Sequence, residues 1–236
     1  MKLLKNWDNK TWLSSSAYIK SFNSFLLKKK RLNKNSKILD IGCGRGKIFG
    51  ILSKKIKLIN KPIGIDPVVH TDVDKALDFR NEDVFKFFKT NKIKFDLIMI
   101  KQTLHFFNRN KRTKLIKTCK NNLKKDGVFI IFSLNTLNNE IPCFKLMKQK
   151  LNRGLERDSR MIKSARRLLK DNTIDRFKFK VSITKTKYIK MLKQRYISCL
   201  VNLSKDQIIK GIKEIKDIYP NKMIFDDILI CVKYKN

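Results

Sequence analysis

The stretch Lys37-Ile38-Leu39-Asp40-Ile41-Gly42-Cys43-Gly44-Arg45-Gly46-Lys47 constrains this chain more than any other. A short apolar run, Ile38 to Ile41, reads as a buried strand. Three glycines at alternate positions follow it, and a helical pattern then begins at Ile48, Phe49, Ile51 and Leu52. Strand, glycine turn and helix start in this order let a ligand approach the backbone where no Cβ stands in the way. The helix N-terminus then lies beside that ligand. A pyrophosphate-binding dinucleotide loop has the spacing G-x-G-x-x-G, whereas this one is D-x-G-x-G-x-G with the acid inside the strand end. A tight turn alone would also explain three glycines, so the segments that follow have to discriminate.

They alternate. A helix is expected from Lys47 to Leu58, a second strand at Ile63 to Ile65 ending on Asp66, and a weakly marked third near Ala76 to Phe79. Phe95 to Ile100 reads as a fourth strand, Arg109 to Leu123 as a helix, Asp126-Gly127 as a turn and Val128 to Ser133 as a fifth strand. Such alternation implies right-handed crossovers and a parallel sheet covered on both faces, with ligands at the C-terminal strand ends. Before it, Ser14 to Ser16 offer caps for a helix carrying Ile19, Phe22 and Leu26. After it, Phe144 to Leu169 is helical in character, with Gly154 and Asp158-Ser159 as expected interruptions. Phe177 to Val181 alternates like a half-exposed strand, and Thr184 can cap a helix holding Tyr188 and Tyr196. Ser204 to Gln207 makes a capping box for another helix, and Ile228 to Val232 reads as the last strand.

The motif around Asp40, Gly42, Gly44 and Gly46 resembles motif I of the class I S-adenosylmethionine (SAM)-dependent methyltransferases. Asp66, twenty residues past Gly46, stands where that family's acid accepts the ribose hydroxyls; the NAD fingerprint asks for the same acid, so Asp66 alone does not separate them. Asp83 and Val84 stand where the family places an acid near the adenine amine and an apolar neighbour under the ring. Phe95 to Phe106, with its Leu104-His105 pair, resembles the strand-four region of the small-molecule branch. The likeness covers about residues 36–135, and more loosely the Arg195-Tyr196-Ile197-Ser198 segment, which is similar to cap segments of trans-aconitate-type enzymes. It implies an α/β, Rossmann-like, doubly wound sheet of seven strands in the order 3-2-1-4-5-7-6, the last antiparallel, with helical cap insertions after strands five and six. The expected layout is one domain over 1–236: an N-terminal helical segment (1–35), the SAM-binding core (36–135), cap helices with strand six (136–222) and the last strand (223–236).

Rival chemistries lack their residues. A short-chain dehydrogenase needs Tyr-x-x-x-Lys, but Tyr18, Tyr188, Tyr196 and Tyr219 are followed at that spacing by Phe22, Leu192, Leu200 and Met223. Metal-dependent catechol-type methyltransferases place an acid where Ile100-Lys101 stands, so no metal is expected. His105, just past a strand end, is the candidate catalytic base, with packing beneath the cofactor as the other reading.

The net charge of +36, from 56 Lys and Arg against 20 Asp and Glu, attracts polyanions non-specifically. Lys is spread along almost every segment, which looks like composition bias rather than a nucleic-acid site. The Arg cluster Arg153, Arg157, Arg160, Arg166 and Arg167 stands out against it. Arg160, together with Arg195 and Tyr196, is expected to clamp an anionic group of the acceptor. Tyr18 or Trp12 is expected to close the cleft. Methyl transfer to a small, anionic molecule is therefore the expected function; RNA modification and a non-catalytic SAM-fold module are the alternatives. Five cysteines without C-x-x-C spacing, no apolar run long enough for a span, and no signal-peptide core after Met1 point to a reduced cytoplasmic setting.

Overall fold

The computed structural model describes Asn9 and residues 11–236; Trp7 and the other opening residues lie outside them. Seven strands form one sheet in the order β3-β2-β1-β4-β5-β7-β6. β1 (Ile38–Ile41), β2 (Ile63–Ile65), β3 (Asp78–Arg80), β4 (Phe95–Lys101) and β5 (Leu123–Leu134) run parallel to their neighbours. β7 (Lys222–Lys235) pairs antiparallel with both β5 and β6 (Thr173–Thr184). Parallel pairing needs crossovers, and α2 (Lys47–Ile56), α3 (Val84–Thr90) and α4 (Arg109–Asn121) supply three of them. The order reverses between β1 and β4, which opens a crevice at the C-terminal ends of those two strands.

Alternate residues of one strand serve opposite faces. Leu97 and Met99 of β4 join one buried cluster, while Ile98 and Ile100 join the other. α1 (Ser16–Lys29) starts where the Ser15 side chain accepts from Tyr18 N, and it docks through Phe22, whose ring centroid lies 4.8 Å from Phe132 and 5.0 Å from Phe177. The N-terminal helix is thus part of the core.

Several elements differ from the sequence reading. β3 begins at Asp78 and runs to Arg80, two residues past the expected start. β5 starts at Leu123, where the expected helix was to end, because Leu123 pairs with Phe95; Asp126 at φ 61° and Gly127 then form an irregularity inside the strand. β6 and β7 are each longer than expected, paired residue by residue from Thr173–Lys233 to Thr184–Lys222. The largest difference is α5 (Lys145–Leu168), which runs unbroken through Gly154 and Asp158-Ser159. Met147, Leu151, Leu155, Ile162 and Ala165 keep one buried stripe along it, and Asp158 lies on that same stripe. Packing of the whole face outweighs one flexible glycine and one acid. α6 (Lys185–Lys193) and α7 (Lys205–Ile218) complete the fold, the latter with the full capping box of Ser204 and Gln207.

Candidate cofactor and acceptor cavity

A cavity of about 590 Å³ lies at the C-terminal strand ends. Its first wall is the loop between β1 and α2. Gly42, Gly44 and Gly46 all take positive φ, at 73°, 56° and 65°. Gly42 packs so tightly that a Cβ there would come within 2.2 Å of the Thr103 hydroxyl, whereas a Cβ on Gly44 would meet nothing within 4 Å. Gly44 therefore faces the open cavity with bare backbone, a cradle that any side chain would fill.

Asp66 braces this loop. Its Oδ2 accepts from Gly44 N at 2.9 Å and its Oδ1 from Val68 N at 2.9 Å, with His70 Nε2 3.6 Å from Oδ1. A carboxylate has acceptor capacity beyond two backbone bonds, so the acid can hold the loop and still receive ligand hydroxyls. His70, which the sequence left without a role, is a buried neighbour of this acid. Asp40, 3 % exposed on β1, has its carboxyl pushed up to about 7 by burial, with Lys101 acting against the shift and Asp66 adding to it. Asp83 caps α3, accepting from Phe85 N and Lys86 N, and Val84 beside it is buried; both line the cavity. The residues expected to hold the cofactor thus line one cavity: the bare loop backbone at Gly44, Asp66, and Asp83 with its apolar neighbour Val84. They fit SAM.

The opposite half is closed by other elements. Trp12 comes from the 3₁₀ turn before α1, and Tyr196, Ile197, Ser198, Val201 and Asn202 come from the segment after α6. Trp12 and Tyr196 meet edge to face at 5.3 Å, and the Tyr196 hydroxyl bonds that of Tyr188 at 2.9 Å. His105 stands on the short turn after β4 and lines the cavity. Its Nε2 is buried with no hydrogen-bond partner among the described residues. Burial pushes its imidazole below the usual range, Asp158 pulls it back up and Arg157 opposes Asp158, so the ring is neutral at pH 7.

Three expected substrate residues do not reach the cavity. Arg160 lies on the exposed face of α5 with Arg153, Arg157, Arg166 and Arg167, because the apolar stripe of that helix faces inward. Arg195, at φ 53°, turns its guanidinium to the chain and donates from Nη2 to Leu203 O at 2.9 Å. Tyr18 is wholly buried behind the wall, edge-on to Phe177 at 5.5 Å. The expected anion clamp is therefore absent from the cavity, and of its members only Tyr196 lines it.

Two acids that the sequence reading passed over are present instead. Asp158 of α5 and Asp227 of β7 are 7 % and 2 % exposed, and both line the cavity. Each was marked in the sequence by register: Asp158 interrupts the apolar stripe of α5, and Asp227 falls between the buried Phe225 and Leu229 in the alternation of β7.

The profile of the family described as "Methyltransferase domain" matches residues 39–131. No curated protein matches the chain by sequence. Among solved structures, a protein of Anabaena variabilis described as a methyltransferase from an antibiotic biosynthesis pathway superposes with a TM-score of 0.61 at 12 % identity, over 89 % of this chain and 95 % of that one. The plantazolicin methyltransferase BpumL, in complex with a desmethyl-plantazolicin analogue and S-adenosylhomocysteine (SAH), gives 0.53 at 16 % identity, over 98 % and 88 %. A SAM-dependent methyltransferase of Archaeoglobus fulgidus gives 0.52 at 17 % identity, over 93 % of each chain. The trans-aconitate branch has no counterpart among these matches. Residues 39–131 match a methyltransferase domain, within a chain that has the fold of the class I SAM-dependent methyltransferases.

Proposed function

We propose that the whole chain, 1–236, works as one methyltransferase unit that transfers the methyl group of SAM to a small molecule enclosed in the inner half of the cavity. The observation that carries this reading is the continuity of the cavity, from bare backbone at Gly44 and the acid Asp66 to the closed half under Trp12 and Tyr196. Its volume lies in the range of small-ligand sites, about 300–1,000 Å³. When bound, SAM supplies an electrophilic methyl carbon on sulfur. In this reading the Gly42–Gly46 backbone and Asp40 hold its amino-acid end, Asp66 the ribose, and Asp83 with Val84 the adenine. Trp12, Tyr196 and Ile197 exclude water and align the acceptor, and alignment alone removes much of the barrier to an in-line displacement. His105, neutral and with an unpartnered Nε2, is the group that takes a proton from the acceptor where one must leave.

The anionic character expected of the acceptor rested on Arg160 and Arg195, and neither supports it from its position. RNA modification draws on the exposed Arg stripe of α5, which lies outside the cavity and suits a polyanion surface rather than the transfer site. The discriminating experiment incubates the protein with methyl-labelled SAM and either the low-molecular-weight fraction of a cell extract or total RNA. Label in the small-molecule fraction is expected. Label in RNA, with binding that weakens about 10³-fold between 50 and 200 mM salt, would replace the reading by RNA modification.

A further inference from the structure

We propose that the inner half of the cavity selects a basic amine as the methyl acceptor, with Asp227 as the side chain that receives its N–H. The inference rests on the methyltransferase reading above and names its substrate class.

The first observation is a reversal of charge. Lys and Arg outnumber Asp and Glu by 56 to 20 in the chain, yet six acids line the cavity: Asp40, Asp66, Glu82, Asp83, Asp158 and Asp227. The bases that line it are Arg45, Lys47, Lys101 and Lys111. A composition that drifts toward Lys everywhere else keeps acids here. Four of the six surround the glycine loop, β2 and the start of α3, where a cofactor with a positive sulfonium accounts for them. Asp158 and Asp227 come from α5 and β7 at the other end; Asp158 is paired with Arg157 at 3.0 Å, which leaves Asp227.

The second observation is the state of Asp227. It is 2 % exposed, and burial pushes its carboxyl up, against the Trp12 hydrogen bond and the charge of Lys101. Its Oδ2 accepts from Trp12 Nε1 at 2.9 Å, and no other hydrogen bond reaches the carboxylate among the described residues. The charge of Lys101 acts on Asp40 as well as on Asp227, and its Nζ lies 5.5 Å from the Tyr18 ring. The other carboxylate oxygen is not among the buried unpartnered atoms, so it is open to the cavity that Asp227 lines, where a ligand N–H can reach it. His105 lines the same cavity, and its Nε2 is buried without a hydrogen-bond partner among the described residues. Unpaired polar atoms of this sort are rare in folded chains and mark places where a ligand completes the network.

The third is the wall. Trp12 and Tyr196 present aromatic surface and Ile141 and Ile197 apolar surface to the same space as Asp227. An ammonium group bonded to Asp227 would lie among rings that attract cations, with its apolar body against the isoleucines. A carboxylate acceptor would meet Asp227 with like charge instead.

The test is calorimetry on the full chain, first with SAH alone and then, in saturating SAH, with arylalkyl amines matched to carboxylate isosteres, beginning with phenethylamine and 3-phenylpropionate. The amine is expected to bind at least ten-fold more tightly than its isostere. Asp227→Asn, which preserves shape and an acceptor for Trp12, is expected to lose ten-fold or more in amine affinity while binding SAH as the parent does. The comparison of amine with isostere on the parent chain decides the matter should Asp227→Asn not fold. Equal or tighter binding of the carboxylate, absence of amine binding, or unchanged amine affinity in Asp227→Asn would overturn the amine proposal while SAH binding left the methyltransferase reading standing. Failure to bind SAH would instead strike that reading itself.

Discussion

At the scale of single residues, the site depends on acids held in unusual states. Asp66 links two loops through Gly44 N and Val68 N and lines the cavity. Asp66→Asn is therefore expected to abolish most of the stabilisation that SAH confers, which at 100 times its dissociation constant is about 2.7 kcal/mol. Thermal unfolding with and without SAH measures this directly. Asp40 makes a prediction about pH. Burial pushes its folded carboxyl up to about 7 from an ordinary 3.8, so between those values the unfolded chain releases a proton that the folded one keeps. Stability from this group is fully present below about 3.8 and is lost as pH rises through about 7, a difference of roughly 4 kcal/mol at most. Asp40→Asn should flatten that decline, so that the variant gains on the parent between pH 4 and 8 in denaturant titrations. A variant that tracks the parent across this range would show that Asp40 is solvated. The cofactor acids were legible because a motif names them. Asp158 and Asp227 were not, since nothing in the local sequence shows that their positions face inward until helix and strand registers are fixed.

At the scale of elements, α5 makes the clearest prediction. Gly154 sits in a continuous helix with no atom within 4 Å of where a Cβ would be. Gly154→Ala should therefore stabilise the chain by about 0.4–1 kcal/mol through helix propensity and a less flexible unfolded state. Gly211 in α7 provides the contrast, since its Cβ would come within 2.5 Å of the Phe144 ring, and Gly211→Ala should destabilise. The pair of melting temperatures, one raised and one lowered, checks both statements together. Elements with strong local signals were read almost to the residue: β1 and β2 have the expected ends, α2 starts at Lys47 as expected, and Ser204 with Gln207 caps α7. Misjudged ends have tertiary causes. The start of β5 depends on pairing with Phe95, the length of β6 on its antiparallel register with β7, and the integrity of α5 on a stripe that extends past Gly154. None of these partners is visible in a local window. The five Arg of the cluster are all exposed on α5, away from its buried stripe.

For the whole molecule, charge is divided between outside and inside. A net +36 is carried by the surface, while the cavity collects acids, so the field that draws polyanions and the field that selects a ligand are different ones. Non-specific RNA binding at low salt is accordingly expected to vanish above physiological ionic strength, whereas SAH affinity should change little over the same range, because enclosed charges are screened less than exposed ones. Parallel titrations at 50 and 300 mM salt distinguish the two. Among the described residues no helix is long and apolar enough to cross a membrane. The central claim is that the glycine loop, Asp66 and Asp83 form one SAM site, and isothermal titration of the full chain with SAH and with NAD tests it most directly. The account predicts one SAH bound per chain and no heat from NAD. Binding of NAD with none of SAH would contradict it.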